Sequence, residues 1–588
     1  MSLTQKFDAN ARVMFKALDK YVLRITHLKS DETEAFEDPL WYADVLLESS
    51  TDAVFEGDVA LNGGFVSVYN REGRLKYQEL NCGYSSKGCF VELSRQPEEL
   101  LYGWGERFDQ FQRCQGKLDL SARESPEFLQ NRQSYSAIPY FFSDNLYAFF
   151  LLNAHHTHWS IDNRRIRIYA DGGRVDYLVI LGDSPMDILE HYTLITGRPK
   201  LVPRWAFGLW STCYPQENQF RVLQYVRQHR EKQIPLDALI LDYHWEERFH
   251  NFGWRKKLFP DADQMIRDLN KMGVRLGLIF TPFINQKNQS WIKSLLNLYL
   301  HNIPAGCEHD DESAVEDYEN ARKMEYFAHD DTARWWFGKG GMPDFASNAV
   351  AEWWNTKLKP LYDKGVAFFK NDDGEYLPKN ARSHNGLSGE EYHNLYGFYY
   401  GKAIYEGMEK LDERRALIYA RSVWVGSQRY PAIFLGDQHP DFKNIIKTMR
   451  AGLNMSLAGF SYWTADVFGL DGKTTPEIHQ RYAQWALFSP IARYFYRPSG
   501  IDDTRYPWSF GEEVEDHFRR LVNLRYHLLP LYYSLAWKAY QSGHPIIRPL
   551  FLNFPQDKAA WRIDDQFLLG DHIMFCPVVQ AGAKQRQV

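Results

Sequence analysis

Cysteine is scarce: six in 588 residues, at 82, 89, 114, 213, 307 and 576, with no repeated Cys-x-x-Cys. Neither a disulfide framework nor a cysteine zinc site is indicated, and reduced thiols in a cytoplasmic chain are the expectation. Long apolar runs are missing too. Met1 to Phe15 holds no signal-like apolar core, and the longest strongly apolar run, Leu146 to Leu152, is far too short to cross a bilayer. No block of five or six like charges occurs, although 24% of residues are charged, and the net charge is only −6. An extended nucleic-acid surface or a polybasic membrane patch is therefore excluded, and a small molecule is the default partner. No His-rich cluster accompanies the acidic residues of the barrel-like half, and no cofactor is expected there.

Aromatic residues are plentiful at 16%. Large cores account for most of them, and sugar rings, which stack on aromatic planes, suit the remainder. The length implies two to four domains. From Tyr21 to about Gly182, short alternating segments such as Phe65-Val-Ser-Val-Tyr, broken by Gly, Asn and Asp, predict a β-sandwich. Within it, Gly103 and Gly105 flank Trp104 in Tyr102-Gly-Trp-Gly-Glu-Arg-Phe108, as a structural turn or a loop that lets backbone approach a ligand.

Near Pro199 the pattern changes to apolar strands alternating with amphipathic helices. Strands are expected at Ala206–Trp210, Leu236–Asp242, Arg275–Pro282, Val366–Phe369, Ala416–Ser422, Ala432–Asp437, Gly459–Asp466 and Leu487–Arg493, with helices intervening each time. Eight such units predict a (β/α)8 barrel of the α/β class. The expected boundaries are an N-terminal sandwich over 1–198, a barrel over 199–545 and the start of a C-terminal β domain over 546–588. Some 80 residues between strands three and four, including His309-Asp-Asp-Glu and Ala333-Arg-Trp-Trp, predict an inserted subdomain at about 284–347.

Active sites of such barrels lie at the C-terminal strand ends. Those ends supply Asp242, Thr281, Asp372 with Asp373, Arg421, Asp437, Asp466 and Arg493. The fourth is the most telling: an apolar strand stops abruptly on Lys370-Asn-Asp-Asp-Gly-Glu375, where Gly374 is expected to permit a sharp turn. Carboxylates converging on one mouth can bind a divalent metal, as in lyases and isomerases, or serve a retaining glycosidase. The latter needs an ionised nucleophile and a protonated general acid roughly 5 to 5.5 Å apart. A sugar-binding barrel without catalysis is a third reading.

The motifs Tyr102-Gly-Trp-Gly-Glu-Arg-Phe, Phe368-Phe-Lys-Asn-Asp-Asp-Gly-Glu, Ala420-Arg-Ser with Gly426-Ser-Gln-Arg-Tyr-Pro, Leu435-Gly-Asp, Trp463-Thr-Ala-Asp and Leu569-Gly-Asp-His-Ile-Met-Phe-Cys-Pro-Val occur in an order that resembles glycoside hydrolase family 31, from about Tyr102 onward. That resemblance implies a retaining exo-α-glycosidase acting on an α-glycoside or oligosaccharide, an α-glucosidase or α-xylosidase, in which Asp372 is the nucleophile and Asp437 the general acid/base. It implies that Asp242 binds hydroxyls of the terminal sugar, that Arg421 and Asp466 line the pocket, and that Lys370 bonds the sugar; Arg493 stands at the eighth strand. Trp463 is a candidate wall, with core packing an equal reading. Phe495 stands where the family usually has a histidine, which bears on which hydroxyls are read. Gly374-Glu-Tyr-Leu-Pro also resembles the sulfoquinovosidase branch. An α-galactosidase-like specificity, transglycosylation and a homo-oligomeric state stay open.

Overall fold

The computed structural model describes the chain except for residues 1–4, 9–11, 33–36, 48–52, 126–129, 131–132, 214–217, 244, 248–249, 289–314, 336–337, 412, 471 and 496–504. The start of the predicted charged stretch, at 309–314, and Cys307 lie outside the described residues. Among those described, no helix is long and apolar enough to cross a membrane.

The N-terminal part is a sandwich of two seven-stranded sheets whose neighbouring strands run antiparallel. The first sheet runs in the order Gln5–Asp8, Val13–Asp19, Val22–His27, Val175–Leu181, Tyr147–Leu151, Ala137–Ser143, Leu101–Gly105. One of its faces meets the second sheet, with Phe15, Trp104, Phe141 and Phe149 packed with Val66, Val91, Trp159 and Ile168. Its other face is apolar as well: Tyr102, Tyr140, Phe142 and Phe150 belong to the core shared with the barrel. Burial of each such side chain is worth on the order of 2 kcal/mol, so the four together outweigh any single surface contact between the two parts.

All eight expected barrel strands form: β1 (Leu209–Cys213), β2 (Ala238–Leu241), β3 (Arg275–Phe280), β4 (Val366–Asn371), β5 (Ile418–Ala420), β6 (Ile433–Phe434), β7 in two pieces (Trp463–Thr464 and Asp466–Val467) and β8 (Ala492–Phe495). All pairings are parallel. One piece of β7 pairs with β6 and the other with β8, and β8 pairs with β1, which closes the barrel. Parallel strands covered by helices are buried on both faces, hence their near-continuous Val, Ile, Leu and Phe.

Eight helices surround them: α1 (Gln219–Glu231), α2 (Ala262–Lys271), α3 (Asn348–Asp363), α4 (Gly389–Glu409), α5 (Phe442–Leu457), α6 (Pro476–Ala486), α7 (Glu512–His527) and α8 (Leu529–Ser542). In α2, Asp261 caps the first turn by accepting from the Gln264 amide, and Met265, Ile266 and Leu269 face the core. Three expectations are corrected. Between β5 and β6 there is no helix, only the 3-10 turn Ser427–Arg429. The stretch beginning at Ala206 is a 3-10 turn to Phe207, with β1 following. The eighth strand begins at Ala492, so Arg493 lies within it rather than at its end.

After β3, strands Ile284–Asn288, Phe327–Trp335 and Gly338–Pro343 form a small antiparallel sheet with helix Val315–Lys323 against it. A C-terminal three-stranded sheet joins Ile547–Arg548, Phe567–Leu569 and Ile573–Phe575.

Candidate active site

The ends of β4 and β5 build one half of the site. Beyond β4, Asp372 continues the sheet pattern by donating its amide to Phe280 O at 2.9 Å, and Arg421 donates its own to Asn371 O at 3.0 Å. The two side chains consequently meet: Arg421 Nη1 lies 3.1 Å from Asp372 Oδ1. Lys370 Nζ lies 3.1 Å from Asp372 Oδ2 and 3.0 Å from Asp242 Oδ2, at the end of β2. All four side chains are buried. Burial alone would raise the Asp372 carboxyl, but the Arg421 guanidinium and the Lys370 ammonium outweigh it and hold the group below the ordinary aspartate value. Lys370 in turn keeps its charge because Asp242 and Asp372 overcome its desolvation.

Arg421 also pairs with Asp373 and Glu375. Asp373 rather than Gly374 takes the left-handed backbone, with φ 59°, a conformation aspartate tolerates better than most residues. Gly374 serves close approach: a side chain there would press on Ser422 and Gly397. Burial, with Asp372 and Glu375 alongside, pushes Asp373 well above the usual carboxylate range despite Arg421. Burial likewise brings Glu375 up to about 7, with Glu124 and Asp372 adding to it against Arg421. Of the three carboxyls that meet Arg421, Asp372 is the one pushed down while Asp373 and Glu375 are pushed up.

The other half stands on β6. Asp437, three residues past the strand, faces groups from the sandwich domain. Tyr135 Oη is 3.3 Å from Asp437 Oδ2, and Gln130 Nε2 donates to Asp437 O at 3.0 Å. The Tyr135 ring lies against Gly436, where any side chain would overlap it, and the Arg421 guanidinium sits 4.6 Å from the centre of the same ring. Beneath them Glu106 accepts from the Gly436 amide at 3.0 Å and from the Tyr135 amide at 3.3 Å. Its burial pushes it up to about 8. Asp372 and Asp437 are thus joined through Arg421 and Tyr135.

Glu106 follows directly on the strand Leu101–Gly105, whose register against Ala137–Ser143 slips where Gly103, Trp104 and Gly105 all have positive φ (118°, 63° and 78°). The close approach there is to the neighbouring backbone at Ser136 and Tyr140, so the glycines serve the sheet irregularity and the expected turn is a bulged strand. Glu106, Gln130 and Tyr135 were not singled out by sequence. The dense glycines before Glu106 are the signal that could have drawn attention to it.

At the far wall Asp466 pairs with Arg493, both fully buried, and Arg493 Nη1 donates to Thr212 Oγ1 at 3.1 Å. Phe495 lies 4.3 Å from the Arg493 guanidinium and 5.8 Å from Lys370 Nζ, measured to its ring centre. It therefore joins the group at the barrel mouth. Two expected positions do not. Trp463 turns into the helix layer, its indole N–H donating to Ser456 Oγ at 2.9 Å and its ring filling the space over Gly452 on α5. It is a core residue and not a sugar platform. Thr281 bonds His250 at 2.6 Å, outside the carboxylate cluster.

A profile of the glycosyl hydrolase 31 N-terminal galactose mutarotase-like domain matches residues 12–159. One of the glycosyl hydrolases family 31 TIM-barrel domain matches 199–535, over half of the chain, and one of the glycosyl hydrolase family 31 C-terminal domain matches 543–588. An α-xylosidase of Emericella nidulans is 28% identical over 510 residues, covering 84% of this chain and 61% of the relative. Alpha-glucosidase 2 of Bacillus thermoamyloliquefaciens is 28% identical over 553 residues, covering 89% and 66%. The chain thus spans less than two thirds of the length of these two relatives. A dextranase of Flavobacterium johnsoniae solved with glucose has a TM-score of 0.87 at 22% identity, over 99% of this chain and 73% of that one, a likeness of fold.

Proposed function

The chain belongs to glycosyl hydrolase family 31, and from that premise we propose that it is a retaining exo-α-glycosidase with Asp372 as nucleophile and Asp437 as general acid/base. The observation that carries this is the pairing of unlike aspartates: one held ionised by Arg421 and Lys370, the other linked to it through Arg421 and Tyr135.

In the first step Asp372 Oδ attacks the anomeric carbon from the β face as protonated Asp437 gives its proton to the glycosidic oxygen. The C–O bond breaks, the alcohol departs and a β-glycosyl aspartate remains. Asp437, now a carboxylate, takes a proton from water, whose oxygen attacks the same carbon from the α face. Asp372 leaves as the carboxylate and the sugar retains its α configuration. Asp242 and Lys370 stand beside the nucleophile where they can bond sugar hydroxyls, and the Asp466–Arg493 pair backs them.

The test is azide rescue with an activated aryl α-glycoside. In Asp437→Ala, azide should intercept the covalent intermediate and give the α-glycosyl azide, whereas in Asp372→Ala it replaces the nucleophile and gives the β-anomer. No azide adduct from either variant would remove the mechanism, and full activity in Asp372→Ala would favour another site altogether.

The glycone is proposed to be glucose or xylose, since an α-glucosidase and an α-xylosidase are similar at equal identity. Phe495 offers no hydrogen bond to a hydroxyl, so Phe495→His should change the ratio of glucoside to xyloside turnover. A panel of nitrophenyl α-glycosides that includes galactose and sulfoquinovose would measure it. A sugar acceptor in place of water would give transglycosylation by the same intermediate. Thiols not in a disulfide at Cys82, Cys89, Cys114 and Cys576 support a reducing, cytoplasmic setting.

A further inference from the structure

The second sheet of the sandwich carries a cluster of ionisable side chains that takes no part in the carboxylate site. Strand Thr157–Ile161 is preceded by His156 and contains His158; at period two both point to one side. Asp119 stands directly opposite His158 on the edge strand Gly116–Leu120. On the other flank Asp171 donates its amide to His156 O at 3.0 Å.

The bonding within this group is directional. Asp171 receives both imidazoles from behind: its Oδ1 lies 3.1 Å from His158 Nε2 and its Oδ2 3.3 Å from His156 Nδ1. A carboxylate can only accept, so each ring gives Asp171 an N–H. The remaining nitrogens, His158 Nδ1 and His156 Nε2, then aim at a single oxygen, Asp119 Oδ1, at 2.6 and 3.7 Å. The His156 side chain is nine-tenths buried, and its Nε2 has no hydrogen-bond partner among the described residues. A protonated His158 can donate its Nδ1–H to Asp119 at 2.6 Å, but that leaves the buried His156 Nε2 without a partner, whereas a cation among the three atoms satisfies both nitrogens. The three atoms sit within 4.8 Å of one another, and ligands that each stand roughly 2.0 to 2.2 Å from one tetrahedral ion are about 3.3 to 3.6 Å apart, so a shift of about an ångström in the exposed Asp119 carboxylate admits the ion.

We propose that Asp119, His156 and His158 bind a divalent transition metal, zinc or an ion of similar chemistry, with Asp171 fixing both ring orientations from the second layer and water completing the coordination. A carboxylate behind a ligating histidine is the usual support of such ions, and here one carboxylate serves two rings. The ion would staple an edge strand to its neighbour, where a sheet is otherwise most easily frayed.

The experiment uses the full chain, freed of metal by EDTA and dialysis, and titrates it with zinc sulfate by calorimetry. One equivalent should bind, raising the thermal midpoint. His158→Ala should lose that equivalent and the thermal shift, and Asp171→Asn, which keeps all three ligands, should weaken binding by about 10- to 100-fold. Glycosidase activity and circular dichroism of the metal-free variants should match the wild type, which excludes misfolding as the cause. Identical titrations of wild type and His158→Ala would overturn the proposal. So would a zinc equivalent that survives in His158→Ala and disappears in Cys82→Ser, since His27, Glu79 and Cys82 form the other described group with ligand-like spacing.

Discussion

The two rim aspartates occupy opposite kinds of surroundings. Asp372 is enclosed by groups of the barrel itself, Lys370 from its own strand and Arg421 from the next, and both are cations. Asp437 is met by groups that the sandwich domain sends across, the Tyr135 hydroxyl and the Gln130 amide, with Glu106 clamping the preceding glycine. In the proposed mechanism the side chain that stays ionised is the one paired with fixed charge. In that mechanism the side chain that changes protonation in each half-cycle is positioned from the other domain.

If this contrast governs the chemistry, it can be broken most directly at the caged member. Asp372→Ala should lower kcat by roughly four to five orders of magnitude with every leaving group, measured on purified protein with an unchanged circular dichroism spectrum. Asp437→Ala should depend on the substrate. A loss of about 10³-fold is expected for alkyl glycosides, which need protonation, and only a small loss in the first step for dinitrophenyl glycosides, which do not. Equal losses for both substrates would erase the distinction.

The supports sharpen it. Glu106→Ala should reproduce the leaving-group dependence in weaker form, about tenfold in kcat with KM little changed, because it loosens Gly436 and thereby Asp437. Arg421→Lys should instead slow all substrates alike.

The smallest effect concerns stability. Glu375 titrates at about 7 in the folded chain against an ordinary 4.5. Between those values the folded state binds a proton that the unfolded chain has released, so stability is greatest below the lower value and declines until the higher one is passed. Denaturant titrations should show this loss, at most about 3 kcal/mol from this group, and Glu375→Gln should flatten it.

Much of the barrel was legible because strands buried on both faces leave continuous apolar runs, and Asp242, Lys370, Asp372, Arg421 and Asp437 stand within or just beyond them. The exceptions share a cause. Leu487 to Pro490 are apolar like a strand, but they form the turn before β8, where the Arg525 guanidinium bonds the carbonyls of Leu487, Ser489 and Pro490. An apolar run does not say which side of the barrel floor it occupies. Trp463 has the composition of a sugar platform and of a core residue alike, and only its neighbours Ser456 and Gly452 decide. Glu106 was marked only by the glycines before it and Tyr135 by nothing local, since their partners are some 300 residues further along.

The doubly covered sheet has a consequence for anyone who would shorten or recombine this protein. Tyr102 and Phe142 also touch Phe551 and Trp561, whose rings stack at 4.2 Å, so front and rear of the chain interlock at one aromatic seam. Cutting away the front third would strip the oily lining from what remains. Chimeras with relatives should accordingly survive only when the pieces meeting at that seam come from the same parent.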